Sequence, residues 1–306
     1  MPVQARVIAY ARTIDDGGRA DLIRSVGLAG VEVRSSGAGA RPSGEAGPFE
    51  VMMLDIDIDT GADTGATSIA QLRTALGEWS TITGIGTAVV PAAVYFPGPR
   101  MLIMDVDSTL IKQEVIELLA AHAGREREVA LVTEAAMRGE LDFTQSLHQR
   151  VRALAGLPVS VIDEVVERIE LSDGAEQLVA AFLDAGHRVG VVSGGFRQVL
   201  APLAARLNLG FAFANDLEIR DGRLTGRVIG AVVDRGAKAR TLEAEAAHAG
   251  VPREAVIAVG DGANDLDMLA AAGLGVAFNA KPALRAAADV VLDLPDLDVV
   301  RHFAGL

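Results

Sequence analysis

Two carboxylates two positions apart, Asp105 and Asp107, end the apolar run Met101, Leu102, Ile103, Met104 and open onto Ser108 and Thr109. An apolar run of this length reads as a buried parallel strand, and the end of such a strand is where an open α/β sheet places its chemistry. One carboxylate there can be a nucleophile and the other a proton donor. The same spacing also binds metal in sugar-nucleotide transferases and closes many solvated turns, so the pair by itself leaves those readings open.

Three downstream clusters bear on the choice. Ser193, Gly194 and Gly195 follow the apolar run 188–192; a hydroxyl and exposed amides near a helix start can hold phosphate oxygens, although the same residues make an ordinary tight turn. Lys238 stands at a helix start, where a lone lysine is usually a surface residue. Gly260, Asp261, Gly262, Ala263, Asn264 and Asp265 follow the run 255–259. Two carboxylates four apart with glycine between them suit a hard cation and the shell behind it, though acidic glycine turns without metal are common. What separates these clusters from accident is their order, since each comes after a successive strand of one inferred sheet.

On these motifs, DVDST, SGG, the lysine and GDGAND, the chain resembles the haloacid dehalogenase superfamily of phosphohydrolases over about residues 100–295. The resemblance implies a Mg²⁺ ion held by the Asp105 carboxylate, the Asp107 carbonyl and Asp261, with Asp265 in support. It implies that Asp105 attacks phosphorus to form an aspartyl phosphate. Asp107 then protonates the leaving alkoxide and afterwards activates water, Lys238 neutralises charge, and Ser193, Gly194 and Asn264 donate to the transferring group. The chemistry is consistent with the residue types: a phosphomonoester dianion repels a carboxylate unless a cation screens the approach.

The tracts DVDSTLIKQEVIELLA, EAAMRGELDFTQSLHQRV and VVSGGF further resemble phosphoserine phosphatases. By position, Glu114 would bind the substrate ammonium and Arg150 its carboxylate, while Met137 and Phe143 enclose the side chain. A zwitterion needs one anion and one guanidinium, and arginine grips a carboxylate in bidentate fashion. Taken singly, Glu114 and Arg150 would be solvated charges and Met137 and Phe143 core residues. The implied reaction is hydrolysis of O-phospho-L-serine to L-serine and phosphate, the last step of serine synthesis. Two other readings stay open: a phosphatase for a different small metabolite on the same scaffold, and a serine-sensing regulatory protein with weak activity.

The elements that must carry these residues follow from periodicity. Apolar runs at 101–104, 188–192, 255–259 and 274–278 alternate with helical patterns, which predicts an α/β fold with a doubly wound parallel sheet and right-handed crossovers. The interval between the first two strands is too long for one crossover and reads as a helical cap at about 111–175. Alternating runs around Asp221 and Gly222 predict a hairpin.

Residues 1–96 read strand, helix, strand, strand, helix, strand (3–11, a helix at GGRADLIRSVG, GVEVRS, 49–58, SIAQLRTALGEW, then STITGIGTAVV), an α+β ferredoxin-like order. That pattern resembles ACT domains, which implies a regulatory or dimerisation module, serine as an effector and a homodimer. Where such domains carry a proline and glycine turn, this chain has Asp15, Asp16, Gly17 and Gly18. The segment Ala38 to Pro48 reads as a mobile loop, and Phe96 to Arg100 as a linker dividing residues 1–96 from a phosphatase domain at 97–306. Asp55, Asp57 and Asp59 lie on one side of a strand and read as a solvated face.

Composition narrows the partners. A net charge of −13 disfavours nucleic acid and anionic membrane surfaces, so an anionic substrate must be met by local cations. With no cysteine there is neither a disulfide nor a thiolate zinc site. The absence of a basic-then-apolar start and of any run near the ~18 apolar residues that span a bilayer gives the expectation of a cytoplasmic protein.

Overall fold

In the computed structural model, which describes residues 3–38, 48–58, 68–137 and 142–306, two sheets account for the strands. The first is built from β1 (Val3–Ala11), β2 (Glu32–Ala38), β3 (Glu50–Ile58) and β4 (Gly86–Pro91), in the order β2-β3-β1-β4 with antiparallel neighbours. Helices α1 (Asp16–Leu28) and α2 (Ile69–Thr83) cover one face. Strand alternation sends Ala5, Val7, Ala9, Leu54, Ile56 and Val89 toward those helices. Residues 39–47, the centre of the expected loop, and Asp59 lie outside the described residues.

Residues 80–83, expected in the last strand, instead finish α2. Thr81 and Thr83 return their hydroxyls to the carbonyls of Gly77 and Trp79 at 2.9 Å each, which satisfies these β-branched residues inside a helix. The helix stops at Gly84, whose φ of 72° is a left-handed cap.

After the short α3 (Ala92–Tyr95), the second sheet begins with β5 (Met101–Met104). The insertion α4 (Val115–Ala123), α5 (Glu126–Met137), α6 (Phe143–Arg152) and α7 (Ser160–Glu167) follows, and then α8 (Ala175–Asp184) and β6 (Arg188–Phe196). The rest runs α9 (Arg197–Arg206), the hairpin β7 (Phe211–Arg220) and β8 (Arg223–Ile229), α10 (Arg235–Ala249), β9 (Val256–Gly260), α11 (Leu266–Ala271), β10 (Leu274–Phe278), α12 (Pro282–Arg285), β11 (Val290–Leu292) and α13 (Val299–Phe303). The order is β11-β10-β9-β5-β6-β7-β8, parallel except for the final hairpin pair. Asp221 and Gly222 both take positive φ in the hairpin turn, as a two-residue primed turn requires. β11 has only three residues, too few for a periodic signal in the sequence.

β5 sits in the middle of this sheet and all four of its residues are buried, so its C-terminal end is a fixed platform. The insertion leaves and rejoins that platform at a narrow neck. Ile111 and Leu171 form a lone antiparallel bridge, and Ser172 donates to the Thr109 carbonyl at 2.6 Å.

The two sheets do not stand apart. The first sheet's other face carries Ile8, Tyr10, Val51, Ala88 and Val90, which join one apolar cluster with Leu292, Val300 and Phe303. The Tyr10 hydroxyl donates to the Val291 carbonyl at 2.9 Å, and Arg73 pairs with Asp289 across the same seam. Among the described residues no helix is long and apolar enough to cross a membrane.

Candidate active site

Asp105 lies just past β5, and its carboxylate is held on both oxygens. The Val106 amide donates to Oδ1 at 2.7 Å; Lys238 Nζ and Asn264 Nδ2 reach Oδ2 at 2.7 and 3.1 Å. The chain then bends sharply just past Asp107, through Ser108, a non-glycine residue with φ of 55°.

Asp107 accepts from the Val115 amide at 2.7 Å and from Ser193 Oγ at 3.0 Å. Burial, reinforced by the charges of Glu114 and Asp105, pushes its carboxyl up to about 7 even though these two donors favour the anion. A carboxyl poised there can carry a proton at neutral pH and release it. Ser193 Oγ also accepts from the Gly195 amide at 2.7 Å. The glycines are steric requirements: a Cβ at Gly195 would stand 2.8 Å from Asp107 Oδ2, and one at Gly194 2.8 Å from the Phe143 ring. Phe143, at the start of α6, therefore lies directly over the serine–glycine loop.

Lys238, whose position suggested a surface residue, is fully buried on α10. Burial alone would discharge it, but Asp105 at 2.7 Å and Asp265 at 2.6 Å outweigh that and raise its pKa, so it is an ammonium at any working pH. Asp265 also accepts from the Asp261 and Gly262 amides at 3.2 Å each, which folds the glycine turn around it. Asp261 is raised by burial and by Asp105.

Oxygen atoms of Asp105, Asp261 and Asp265 lie within 4.8 Å of one another, and all are hard donors. Asp105 and Asp265 each already accept from Lys238 and two N–H donors, so Asp261 is the carboxylate of the three with most capacity left for a cation. Three carboxylates against the ammonium groups of Lys238 and Lys281 still leave a local negative excess, and the donor set fits a divalent ion of the Mg²⁺ or Ca²⁺ type.

Glu114 precedes α4 and receives the Ser108 hydroxyl at 2.7 Å; burial raises its pKa. Arg150, on α6, makes no ion pair among the described residues. Burial lowers its pKa while the charges of Glu114, Asp107 and Glu117 oppose the shift, so it faces the carboxylates without touching them. Met137 ends α5, and its side chain lies outside the described residues.

Two residues escaped the sequence reading. Lys281 places Nζ 3.4 Å from Asp261 Oδ2; its position just after β10, at another strand end, was an available signal. Asn215 touches both the Ser193–Gly195 loop and the segment before α10, and no motif marks it.

The sequence profile of the haloacid dehalogenase-like hydrolases matches residues 102–270. A phosphoserine phosphatase of Streptomyces coelicolor is 58% identical over 235 residues, covering 77% of this chain but 57% of that protein, so the chain spans little more than half of its length. A phosphoserine phosphatase of Streptococcus thermophilus is 48% identical over 197 residues, covering 64% of this chain and 92% of that one. A solved hydrolase of the same family from Salmonella enterica serovar Typhi superposes with a TM-score of 0.82 at 26% identity, over 98% of both chains.

Proposed function

The chain belongs to the haloacid dehalogenase-like hydrolase family, and on that premise we propose that it is a Mg²⁺-dependent phosphatase that hydrolyses O-phospho-L-serine to L-serine and phosphate. The observation that supports the substrate is Glu114 and Arg150: a partly buried anion, and a guanidinium without an ion pair among the described residues, come from different elements of the insertion, and each is within electrostatic reach of the Asp105–Asp107 pair. They match the ammonium and carboxylate of a phosphorylated amino acid, whereas a sugar phosphate offers neither charge.

In this reading Asp105 Oδ attacks phosphorus, the P–O bond to the serine oxygen breaks, and the electron pair leaves on that oxygen. Asp107, whose pKa near 7 allows a proton to reside on it, donates that proton to the leaving oxygen. The anion left behind takes a proton from the water that next attacks the aspartyl phosphate, so acid and base are one group in turn. The new bond to phosphorus forms as the bond to Asp105 Oδ breaks, returning the carboxylate and releasing phosphate. Lys238 holds Asp105 in place and offsets its charge. Mg²⁺ bound by the Asp105 and Asp261 carboxylates and the Asp107 carbonyl would screen the phosphoryl charge, with Asp265 behind. Phe143, together with Met137, would close the insertion over the loop and keep bulk water from the intermediate. Ser193, Gly194 and Asn264 would donate to the phosphoryl oxygens.

The remaining expectations belong to the same proposal: a boundary near residue 97, a role for residues 1–96 in serine sensing or homodimer formation, a place in the cytoplasm and a contribution to serine synthesis. A panel of phosphomonoesters with MgCl₂ tests the reaction, and phosphoserine should be preferred, with Asp105→Asn inactive. Arg150→Ala should raise KM for phosphoserine about 10- to 100-fold, the weight of one charged hydrogen-bonded pair, and leave p-nitrophenyl phosphate unaffected. Equal wild-type rates on sugar phosphates would sink the substrate assignment.

A further inference from the structure

We propose that Asn215 is a positioning residue for phosphoryl transfer: its side-chain amide fixes the peptide between Gly194 and Gly195 and ties that peptide to the segment leading into the helix of Lys238. The inference rests on reading the site as a phosphatase, but not on which phosphoester it takes.

Asn215 lies in β7 opposite Phe196, where the pairing with β6 resumes after an interruption at Val192, and it is 2% exposed. Its Nδ2 donates to the Gly194 carbonyl at 2.8 Å and its Oδ1 accepts from the Val233 amide at 2.8 Å. One partner can only accept and the other can only donate, so the amide has a single workable orientation. Val233 immediately precedes Asp234, the residue that caps α10, and Lys238 follows one turn later. A single buried side chain therefore joins two separate parts of the site.

The need for such a brace follows from the loop's composition. A Cβ at position 194 or 195 would stand 2.8 Å from Phe143 or from Asp107 and displace one or the other, so glycine at both positions leaves the site in place. Two glycines in series have the weakest backbone preferences available, at the place where transfer requires fixed amides. The stiffness has to come from outside the loop.

Asn215 holds the carbonyl of the 194–195 peptide, and Ser193 Oγ accepts the N–H of that same peptide, at 2.7 Å. These groups lie in the peptide plane and point in opposite directions, so the plane is held at both edges. Ser193 Oγ in turn donates to Asp107 at 3.0 Å. A flipped peptide would aim its carbonyl oxygen at Ser193 and the Asp107 carboxylate in place of the N–H.

An asparagine that merely tied β7 to residue 233 would need only its acceptor. Asn215→Asp keeps an acceptor for Val233 and sets an oxygen against the Gly194 carbonyl; Asn215→Ser is small enough to fold where a buried carboxylate is not tolerated. The full chain with MgCl₂ is assayed on phosphoserine and on p-nitrophenyl phosphate, and binding of inorganic phosphate is measured by calorimetry. Both variants should lose about 10- to 100-fold in kcat/KM on both substrates alike, since the phosphoryl group is common to them. The Kd for inorganic phosphate should rise about tenfold with the binding stoichiometry kept. A purely structural role would lower the stoichiometry and leave that Kd unchanged, and this result, or Asn215→Asp within threefold of wild type, overturns the proposal. Wild-type turnover of p-nitrophenyl phosphate without phosphoserine would defeat the substrate assignment alone, because the Asn215 comparison is then read on p-nitrophenyl phosphate and phosphate binding.

Discussion

Lys238→Met replaces a buried ammonium by a side chain of similar length and removes the cation that touches both Asp105 and Asp265. At an effective dielectric of about 20, opposite unit charges 2.7 Å apart attract by roughly 6 kcal/mol, and the lysine makes two such contacts. Its own desolvation offsets much of that, and removal of one partner from a buried pair typically costs about 3–5 kcal/mol. At about 2–3 °C per kcal/mol for a chain of this size, the Tm in EDTA should fall by about 6–15 °C.

The same reasoning fixes how the loss is repaired. Asp105, Asp261 and Asp265 would be left within 4.8 Å of one another without that counter-charge, so Mg²⁺ should raise the Tm of Lys238→Met more than that of the wild type. Lowering the pH should also narrow the gap, because Asp261 and Asp265 are already raised by burial and by Asp105 and will take up protons readily. Differential scanning calorimetry in EDTA, in MgCl₂ and at two pH values gives all three numbers. A Tm in EDTA within about 2 °C of wild type, or a smaller metal-induced gain in the variant, would refute the charge argument.

Three other outcomes are expected. His302 is buried with Nδ1 unpartnered, and burial, aided by Arg301, depresses its pKa to about 4. The unfolded imidazole takes a proton near 6.5 and the folded one only near 4. Nothing is therefore lost above pH 6.5, and up to roughly 3 kcal/mol is lost as pH falls toward 4. His302→Phe should flatten the fall in Tm over that window, and identical slopes would count against it. Gly86→Ala puts a Cβ 2.2 Å from the Tyr10 ring, so it should cost about 1–3 kcal/mol in urea unfolding and break the Tyr10–Val291 bond; an unchanged midpoint contradicts that packing. Residues 97–306 expressed alone should self-associate in light scattering, because the apolar partners of Ile8, Tyr10, Val51 and Val90 would be uncovered. A monodisperse fragment would show that the seam is dispensable.

The parts of the site that could be read from sequence were those whose physics is local. Asp105, Ser193 and Asp261 each follow an apolar run, so period and strand end locate them together. Lys238 is different: its helix has no marked apolar face, and its burial is created by Asp105 and Asp265, which are distant in sequence. Asn215 is invisible for the same reason, since both its partners are backbone groups of other segments. Local propensity also misplaced 80–83, where β-branched residues suggested strand but threonine back-bonding and the Gly84 cap let the helix continue. The seam between the sheets could not be foreseen, because alternation in β1 shows that both faces are apolar without saying what covers the second.

That seam bears on how such a chain can be inherited. Tyr10 rests on Phe303, with ring centroids 5.9 Å apart, and on the Val291 carbonyl, so β1 and α13 form one packing unit despite lying far apart in the sequence. A recombination breakpoint in the 96–100 stretch would exchange the amino-terminal sheet but strand its complement at the carboxyl terminus. A chimera that keeps its stability must therefore carry β11 and α13 along with residues 1–96, a discontinuous cassette where the linear map suggests a contiguous one.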